Sequence, residues 1–202
     1  MLKIIKKMVA TAEQNIGKKT SEKGKRFITL EKFIERYTNR EDPFKYEWNN
    51  GTIEKKPKTM NRDQTKILQK LMRLFAKTKA YTEGGELINE VDMLMKSAKR
   101  TRRADIVYMT AQQISESDNG ILTVCPFVVE VISKNDQINE VGEKMIEYFE
   151  NGVQVVWVVF PKLKKVEIYT SVQNVTICFD KNICSAAPVL SDFKITVNEL
   201  FA

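Results

Sequence analysis

Three carboxylates occur in stretches that are otherwise apolar enough to form buried strands. Asp92 lies within VDMLM, Asp105 opens ADIVYM, and Glu130 lies within FVVEVI. A buried carboxylate without a partner is costly, so each one requires a cation, a network of donors or a raised pKa. An ion pair with a nearby lysine or arginine is the more common explanation for any one of them. Two or three on neighbouring strands instead favour a shared cation site.

The sequence contains no histidine, which narrows the chemistry that such a site could perform. This excludes Ser-His and Cys-His nucleophiles, histidine general bases and most catalytic zinc sites. Carboxylates that converge without histidine suit a hard divalent ion such as Mg²⁺, which prefers oxygen ligands. Three cysteines have spacings that match no metal site, and we expect buried free thiols in a reducing compartment; they are Cys125, Cys178 and Cys184.

A lysine is the expected companion of these carboxylates, and two positions are candidates. Lys144 lies at the edge of the apolar stripe of the helix predicted after Glu130, from which its side chain can extend toward the sheet. Lys134 follows Glu130 by four residues, and it faces the same side if the strand continues that far. Chain proximity alone points to Lys134, so position leaves both lysines open.

A basic run, KSAKRTRR, occupies residues 96–103 and leads directly to Asp105. We expect this run to be a loop, and most such runs cover a solvated surface. Its place beside the carboxylates would also suit contact with a phosphate backbone. The candidates for nucleic-acid binding in this run are Lys99, Arg100, Arg102 and Arg103.

The elements that must position these side chains are predicted from hydrophobic periodicity and turn signals. FKYEWNNGTIEKK predicts a hairpin around Asn50-Gly51, and residues 61–79 predict a helix with one apolar stripe. A second helix, QINEVGEKMIEYFENG, separates the two most apolar strands, and the chain ends in a short amphipathic piece. Strands are predicted over 88–95, 104–109, 123–133 and 153–160, and in KVEIYT and NVTICF. This order predicts a mixed α/β (α+β) domain around a central sheet.

The chain has 202 residues, which fits one domain with an extension. We assign a basic N-terminal extension to residues 1–28 and the domain to residues 29–202. Lys and Arg outnumber Asp and Glu by 33 to 26, which favours a polyanionic partner. No run approaches the roughly 20 apolar residues of a membrane span. The apolar stretch in the opening MLKIIKKMVA is too short for a signal peptide. We therefore expect a cytoplasmic protein.

The carboxylates and their surroundings resemble the Uma-type restriction endonuclease family, a branch of the PD-(D/E)XK nuclease superfamily. YEWNNGTIEKKP is similar to the family's opening hairpin, with Glu47 at its acidic position. RADIVYM and FVVEVIS are similar to the strands that carry the metal-binding Asp and Glu, here Asp105 and Glu130. GEKMIEYFENGVQVVWVV is similar to the helix and strand that follow, where Lys144 matches a lysine moved from the sheet to the helix. The resemblance runs from roughly Thr29 to the C-terminus.

The resemblance implies a restriction-endonuclease-like mixed sheet flanked by helices and a metal-dependent endonuclease that hydrolyses DNA phosphodiester bonds. Asp105 and Glu130 would hold Mg²⁺, or Mn²⁺ in its place, together with a backbone carbonyl near Val131. Lys144 would orient the attacking water or help to deprotonate it. A homodimer would suit cleavage of both strands of a duplex.

Glu47 and Asp92 are further candidates for the site. Either one could bind a second metal ion or hold Lys144 in place. Structural ion pairs explain both residues equally well, so the two interpretations stay open.

Four positions depart from the pattern of the family. Ala104 stands where Pro is usual, Ile132 where the superfamily motif has a lysine, and Phe160 where an Asp is frequent. The helix after the hairpin usually opens with a histidine, where this chain has Asp63 or Gln64. An alternative function is therefore a catalytically decayed nuclease fold that acts as a nucleic-acid- or protein-binding module.

Overall fold

A computed structural model describes residues 27–57, 62–133 and 137–202 of the chain. The predicted extension, residues 1–28, lies outside these ranges except for its last two residues. Within them the chain forms a sheet of eight strands and a separate pair of strands, with helices packed on the large sheet. The prediction of a mixed sheet flanked by helices is confirmed.

The elements follow one another along the chain within the described ranges. The helices are α1 (Leu30–Phe33, continued by a π-helical turn over Ile34–Thr38), α2 (Arg62–Phe75), α3 (Lys79–Thr82), α4 (Ala111–Asp118), α5 (Ile138–Glu150) and α6 (Val197–Phe201). The strands are β1 (Phe44–Asn49), β2 (Thr52–Pro57), β3 (Glu86–Met95), β4 (Arg100–Met109), β5 (Phe127–Val131), β6 (Val155–Phe160), β7 (Lys165–Tyr169), β8 (Val175–Phe179), β9 (Ile183–Ala186) and β10 (Leu190–Thr196). No helix among the described residues is both long and apolar enough to cross a membrane.

The hairpin predicted around Asn50-Gly51 is formed by β1 and β2. Their ladder closes at the pair Asn49–Thr52, which leaves a two-residue turn. Both turn residues have positive φ, 43° at Asn50 and 91° at Gly51. Such turns match the right-handed twist of the strands and require residues that tolerate this conformation, which Asn-Gly supplies.

The sheet has the order β2-β1-β4-β5-β6-β7-β8, with β3 paired to β4 outside this path. Strands β5 and β6 are parallel and are joined by α5, whereas the other neighbours are antiparallel. Strand β4 pairs with β1 only at Arg100 and with β5 only over Ile106–Tyr108. The β1 and β5 strands therefore diverge along β4, and the residues of β4 between these contacts, including Asp105, lie in the fork.

The core lies in two layers, one on each face of the large sheet. On one face, aromatic residues such as Trp157 and Phe193 pack with the apolar stripe of α2, with β9 and β10, and with α6. On the other face, Met145 and Tyr148 of α5 pack against valines of β5 and β6. Because strand side chains alternate between faces, Val129 belongs to the first layer and Val128 to the second. Glu130 is thereby directed toward α5.

The structure corrects several predicted boundaries. Strand β4 begins at Arg100 rather than at residue 104, so the prediction of a loop over residues 96–103 is wrong for its second half. The helix predicted over 61–79 ends at Phe75. Helix α4 was not predicted, because its sequence AQQISESD has no apolar stripe and the helix has no buried residue.

Candidate active site

Glu130 is held from two positions on α5. It is 5% exposed, and its Oε2 accepts a hydrogen bond from Lys144 Nζ at 2.9 Å. Its Oε1 accepts one from the hydroxyl of Tyr148 at 2.5 Å. Lys144 and Tyr148 are four residues apart, so they share one face of the helix, and that face is packed on the sheet. Both carboxylate oxygens of Glu130 are therefore fixed by the same helical turn.

Asp105 lies in the fork and accepts hydrogen bonds from two neighbouring strands. It belongs to β4, and its Oδ2 accepts a hydrogen bond from the backbone N–H of Val131, the residue after Glu130, at 2.9 Å. Its Oδ1 accepts one from Lys45 Nζ on β1 at 3.0 Å. Asp105 and Glu130 line the same open pocket, together with Lys45 and Lys144. The two carboxylates predicted from the sequence are thus brought together.

The charges of this pocket are strongly coupled. Burial raises the pKa of Glu130 above its ordinary value, and the neighbouring Asp105 raises it further, while Lys144 and Tyr148 act in the opposite direction. Burial lowers the pKa of Lys144, but the carboxylates of Glu130, Glu47 and Asp105 outweigh it and raise that pKa overall. Lys144 is therefore a cation at neutral pH, although only 19% of its side chain is exposed.

Glu47 lies on β1, lines the pocket and is surrounded by positive charge. Its Oε1 accepts a hydrogen bond from the backbone N–H of Arg103 at 3.1 Å, and its Oε2 faces Arg102 at 3.3 Å and Arg100 at 3.5 Å. Burial raises the pKa of Glu47, but Lys144 and these arginines lower it more, so the carboxylate stays ionised. Glu47 interacts with Lys144 through this charge, and no direct hydrogen bond between the two is formed.

The arginines of the basic run are turned into the protein. Arg102 is 2% exposed and binds Glu147 of α5 through Nε at 2.5 Å and Nη2 at 3.1 Å. Arg100 binds Glu54 of β2 at 2.7 Å. These ion pairs join the hairpin, β4 and α5 around the fork. Lys99, in contrast, is exposed at the turn before β4.

Arg103 and Asp92 form a buried pair across β3 and β4. The guanidinium group of Arg103 binds both oxygens of Asp92, with Nε at 2.8 Å from Oδ1. Of the two interpretations of Asp92, the structure therefore supports the ion pair. With Arg100, Arg102 and Arg103 committed to carboxylates of the fold, we keep Lys99 as the candidate of this run for contact with nucleic acid.

The other lysine considered for the site, Lys134, lies outside the described residues. The family's histidine corresponds to Asp63 or Gln64, and Gln64 lies at the start of α2. Its Nε2 donates to the carbonyl oxygen of Val131 at 3.1 Å, and Gln64 lines the same pocket. An uncharged side chain is therefore hydrogen-bonded to the carbonyl that, according to the resemblance, would bind the metal.

Sequence reasoning missed three residues around the two carboxylates, namely Lys45, Tyr148 and Glu90. Lys45 lines the pocket and Glu90 lines a smaller pocket beside it, and strand pairing brings both there with no local signal in their own segments. Tyr148 was assigned to the apolar stripe of its helix, which is correct for its ring, while its hydroxyl points to Glu130. A phenol at the centre of a buried stripe needs a hydrogen-bond partner, and this was the available signal.

The donor set of the pocket fits a hard divalent cation. Asp105, Glu130 and the Val131 carbonyl offer oxygen atoms, and each carboxylate has free lone pairs beyond the donors already named. No group of three or more Asp, Glu, Cys or His side chains within the described ranges could hold a metal by itself. Two carboxylates and a carbonyl are typical of Mg²⁺, which keeps several of its waters rather than entering an all-protein cage.

The family with the description "Putative restriction endonuclease" (Uma2) matches residues 30–198. The chain belongs to this family. The resemblance inferred from Asp105, Glu130 and Lys144 is therefore confirmed at the level of the family, and membership supports a nuclease function.

A solved structure, that of a putative nuclease belonging to DUF820 from Anabaena variabilis, has a similar fold with a TM-score of 0.69. Its sequence is 17% identical, and the match covers 86% of this chain and 97% of that chain. At this identity the likeness shows the fold alone. No curated protein matches the chain.

Proposed function

We propose that this Uma2-family protein is a divalent-metal-dependent endonuclease that hydrolyses phosphodiester bonds of DNA. The observation that carries the proposal is the arrangement of Asp105, Glu130 and Lys144 at one pocket, with Lys144 Nζ 2.9 Å from Glu130. A carboxylate pair with a charged lysine and no histidine is suited to metal-assisted hydrolysis of a phosphate ester.

Asp105, Glu130 and the Val131 carbonyl would hold the metal, with Mg²⁺ as the expected ion and Mn²⁺ as a substitute. When bound, such an ion supplies a Lewis acid that polarises a phosphoryl oxygen and acidifies a bound water. The backbone N–H of Val131 orients Asp105, and Tyr148 orients Glu130. These bonds fix both carboxylates before substrate arrives, so that little reorganisation is required during reaction.

Lys144 contributes as a fixed cation beside Glu130. Held by its hydrogen bond to Glu130, it would orient the attacking water or help to deprotonate it, and its charge would stabilise the phosphate. Glu47 lines the same pocket, and it would either hold Lys144 through its charge or bind a second metal ion.

Plasmid nicking tests the proposed function. Supercoiled DNA is incubated with the protein in Mg²⁺, in Mn²⁺ and in EDTA, and conversion to the nicked form is measured. We expect cleavage with either metal and none with EDTA, and complete loss in Asp105→Asn and Glu130→Gln. Glu140→Gln is the matched control, since Glu140 lies at the rim of the pocket in an exposed pair with Lys56.

Full nicking by a verified Glu130→Gln protein would contradict the assignment. DNA binding in a gel-shift assay without nicking in any metal would instead support the alternative of a decayed nuclease fold that binds nucleic acid. The missing histidine, whose place is taken by Asp63 or Gln64, is the feature of this chain that motivates this second outcome.

We further propose that two copies act together on a duplex, since two strands require two cuts. Sedimentation of the purified protein with and without a short duplex tests this. If the protein is a monomer in both conditions and still nicks DNA, the proposal of a dimer is contradicted.

A further inference from the structure

Lys45 lies directly on a carboxylate that the proposed function assigns to the metal. Its Nζ is 3.0 Å from Asp105 Oδ1 and 3.4 Å from Glu90 Oε1. Both carboxylates are mostly buried, and 23% of the Lys45 side chain is exposed. One ammonium group therefore neutralises two carboxylates at the pocket.

The strand geometry brings these two carboxylates together. The register of β3 and β4 pairs Asn89 with Ile106 and Val91 with Ala104, so Glu90 falls opposite Asp105. Glu90 has a φ of 56°, a left-handed backbone that is costly for a residue with a side chain. Like charges directly opposite each other on antiparallel strands also destabilise the pair. The left-handed backbone of Glu90 and the two opposed carboxylates thus occur at the place where Lys45 of β1 contacts both.

We propose that Lys45 is the counter-cation of Asp105 in the metal-free protein, and that a divalent cation bound at Asp105 transfers the Lys45 ammonium group to Glu90. This inference rests on the proposed function, because it takes Asp105 as a metal ligand. Lys45 and the metal compete for the same carboxylate, so Lys45 sets how tightly the metal binds. Glu90 lowers the cost of the displacement by offering the ammonium group a second partner.

The proposal predicts opposite effects of two neutral substitutions on metal affinity. Lys45→Gln removes the competitor and tightens Mn²⁺ binding by about tenfold, the lower end of what a unit charge within ~4 Å does to a carboxylate equilibrium. Glu90→Gln removes the receiving carboxylate and weakens Mn²⁺ binding by several-fold. Lys45→Arg keeps the charge and restores an affinity close to that of the unchanged protein.

The double variant separates transfer from the general field of the charges. If Glu90 acts through Lys45, adding Glu90→Gln to Lys45→Gln changes the Mn²⁺ affinity little. If Glu90 is instead a direct ligand, its loss weakens binding equally in both backgrounds, and the proposal is overturned. Lys56→Gln is the control for a lost positive charge, because Lys56 lines the pocket but lies 2.6 Å from Glu140, away from Asp105.

The experiment titrates the full chain with Mn²⁺ and counts free Mn²⁺ by electron paramagnetic resonance, without DNA. Circular dichroism verifies that each variant is folded, and Lys45→Arg and Glu90→Gln carry the test if Lys45→Gln does not fold. Equal affinities in the unchanged protein and a folded Lys45→Gln variant overturn this inference alone. The proposed function is overturned if the protein binds no Mn²⁺. It is also overturned if Asp105→Asn leaves the Mn²⁺ affinity unchanged.

Discussion

Lys144 donates a hydrogen bond to Glu130 across 2.9 Å, although the two residues lie on different elements and 14 positions apart in the chain. Strand β5 directs Glu130 to the face of the sheet that α5 covers, and α5 presents Lys144 at the edge of its apolar stripe. The packing of the helix therefore fixes the direction of the lysine. In the proposed function, Lys144 takes the part of the lysine that the motif of the resembled superfamily has at the position of Ile132.

We expect Lys144→Ala to lower the single-turnover rate of DNA cleavage by about 10²-fold or more, a scale typical of a lost electrostatic group in an active site. DNA binding should change little, because one interior cation contributes little to backbone contact. Rates at saturating Mg²⁺, with gel-shift affinities beside them, measure both effects.

Two lysine variants are the controls for this rate. Lys165→Ala removes a lysine that forms a comparable ion pair with Glu167, on β7 away from the pocket, and should leave the rate unchanged. We expect Lys134→Ala to cost much less than Lys144→Ala, because the packing of α5 fixes the direction of Lys144. If Lys134→Ala abolishes cleavage and Lys144→Ala leaves the rate nearly normal, the assignment of Lys144 is wrong.

The acidic residues of the site could be predicted from the sequence because their burial is a local signal. Asp105 and Glu130 stand out in apolar strands, whereas helical period made Lys144 only one of two candidate lysines and the family resemblance favoured it over Lys134. Lys45 and Glu90 could not be predicted in this way. Their proximity to Asp105 depends on which strands are neighbours and in which register, and neither is encoded within one segment.

The basic run shows the opposite failure, in which a strong local signal has the wrong meaning. Charge density predicts a solvated loop over residues 96–103, yet Arg102 is almost fully buried. Its partners, Glu47 and Glu147, come from segments about 50 residues away in the chain on either side. Buried arginine is rare unless it is paired, and single-sequence patterns do not reveal partners at this separation.

Tyr148→Phe tests the positioning of Glu130. The variant loses a hydroxyl group 2.5 Å from Oε1, which should raise the Kd for Mn²⁺ and lower the cleavage rate, each by about tenfold or less. Tyr169→Phe is the matched control, because Tyr169 donates to Glu167 at 2.8 Å away from the pocket. Both variants should lose about 1–2 kcal/mol of stability. Equal metal affinity in the two variants would reduce Tyr148 to a structural role.

Arg102 and Lys99 test the revised interpretation of the basic run. Breaking the buried pair with Glu147 by Arg102→Gln should lower the free energy of unfolding by about 3–5 kcal/mol, while the salt dependence of DNA binding stays unchanged. Lys99→Gln should leave stability unchanged and reduce the slope of log K against log salt by about one. Denaturant unfolding and binding at several salt concentrations measure both. A reduced slope in a folded Arg102→Gln protein would restore that arginine to the DNA interface.

Glu47→Gln tests the electrostatic role of the hairpin carboxylate through pH. Because cationic neighbours hold the pKa of Glu47 below its ordinary value of 4.5, its ionised form stabilises the folded state. That contribution is fully present above pH 4.5 and is lost as the pH falls through the folded-state pKa. The variant should therefore be less stable than the unchanged protein by about 2 kcal/mol at neutral pH.

The same difference should shrink as the pH is lowered below 4.5 and through the folded-state pKa, because protonation of Glu47 removes the charge in the unchanged protein as well. Thermal unfolding of both proteins over this range measures the difference at each pH. Glu54→Gln is the control, since its carboxylate also binds Arg100 but its side chain is 35% exposed and solvent screens the pair. A stability difference for Glu47→Gln that does not change with pH would mean that shape or packing at Glu47 matters, and its charge does not.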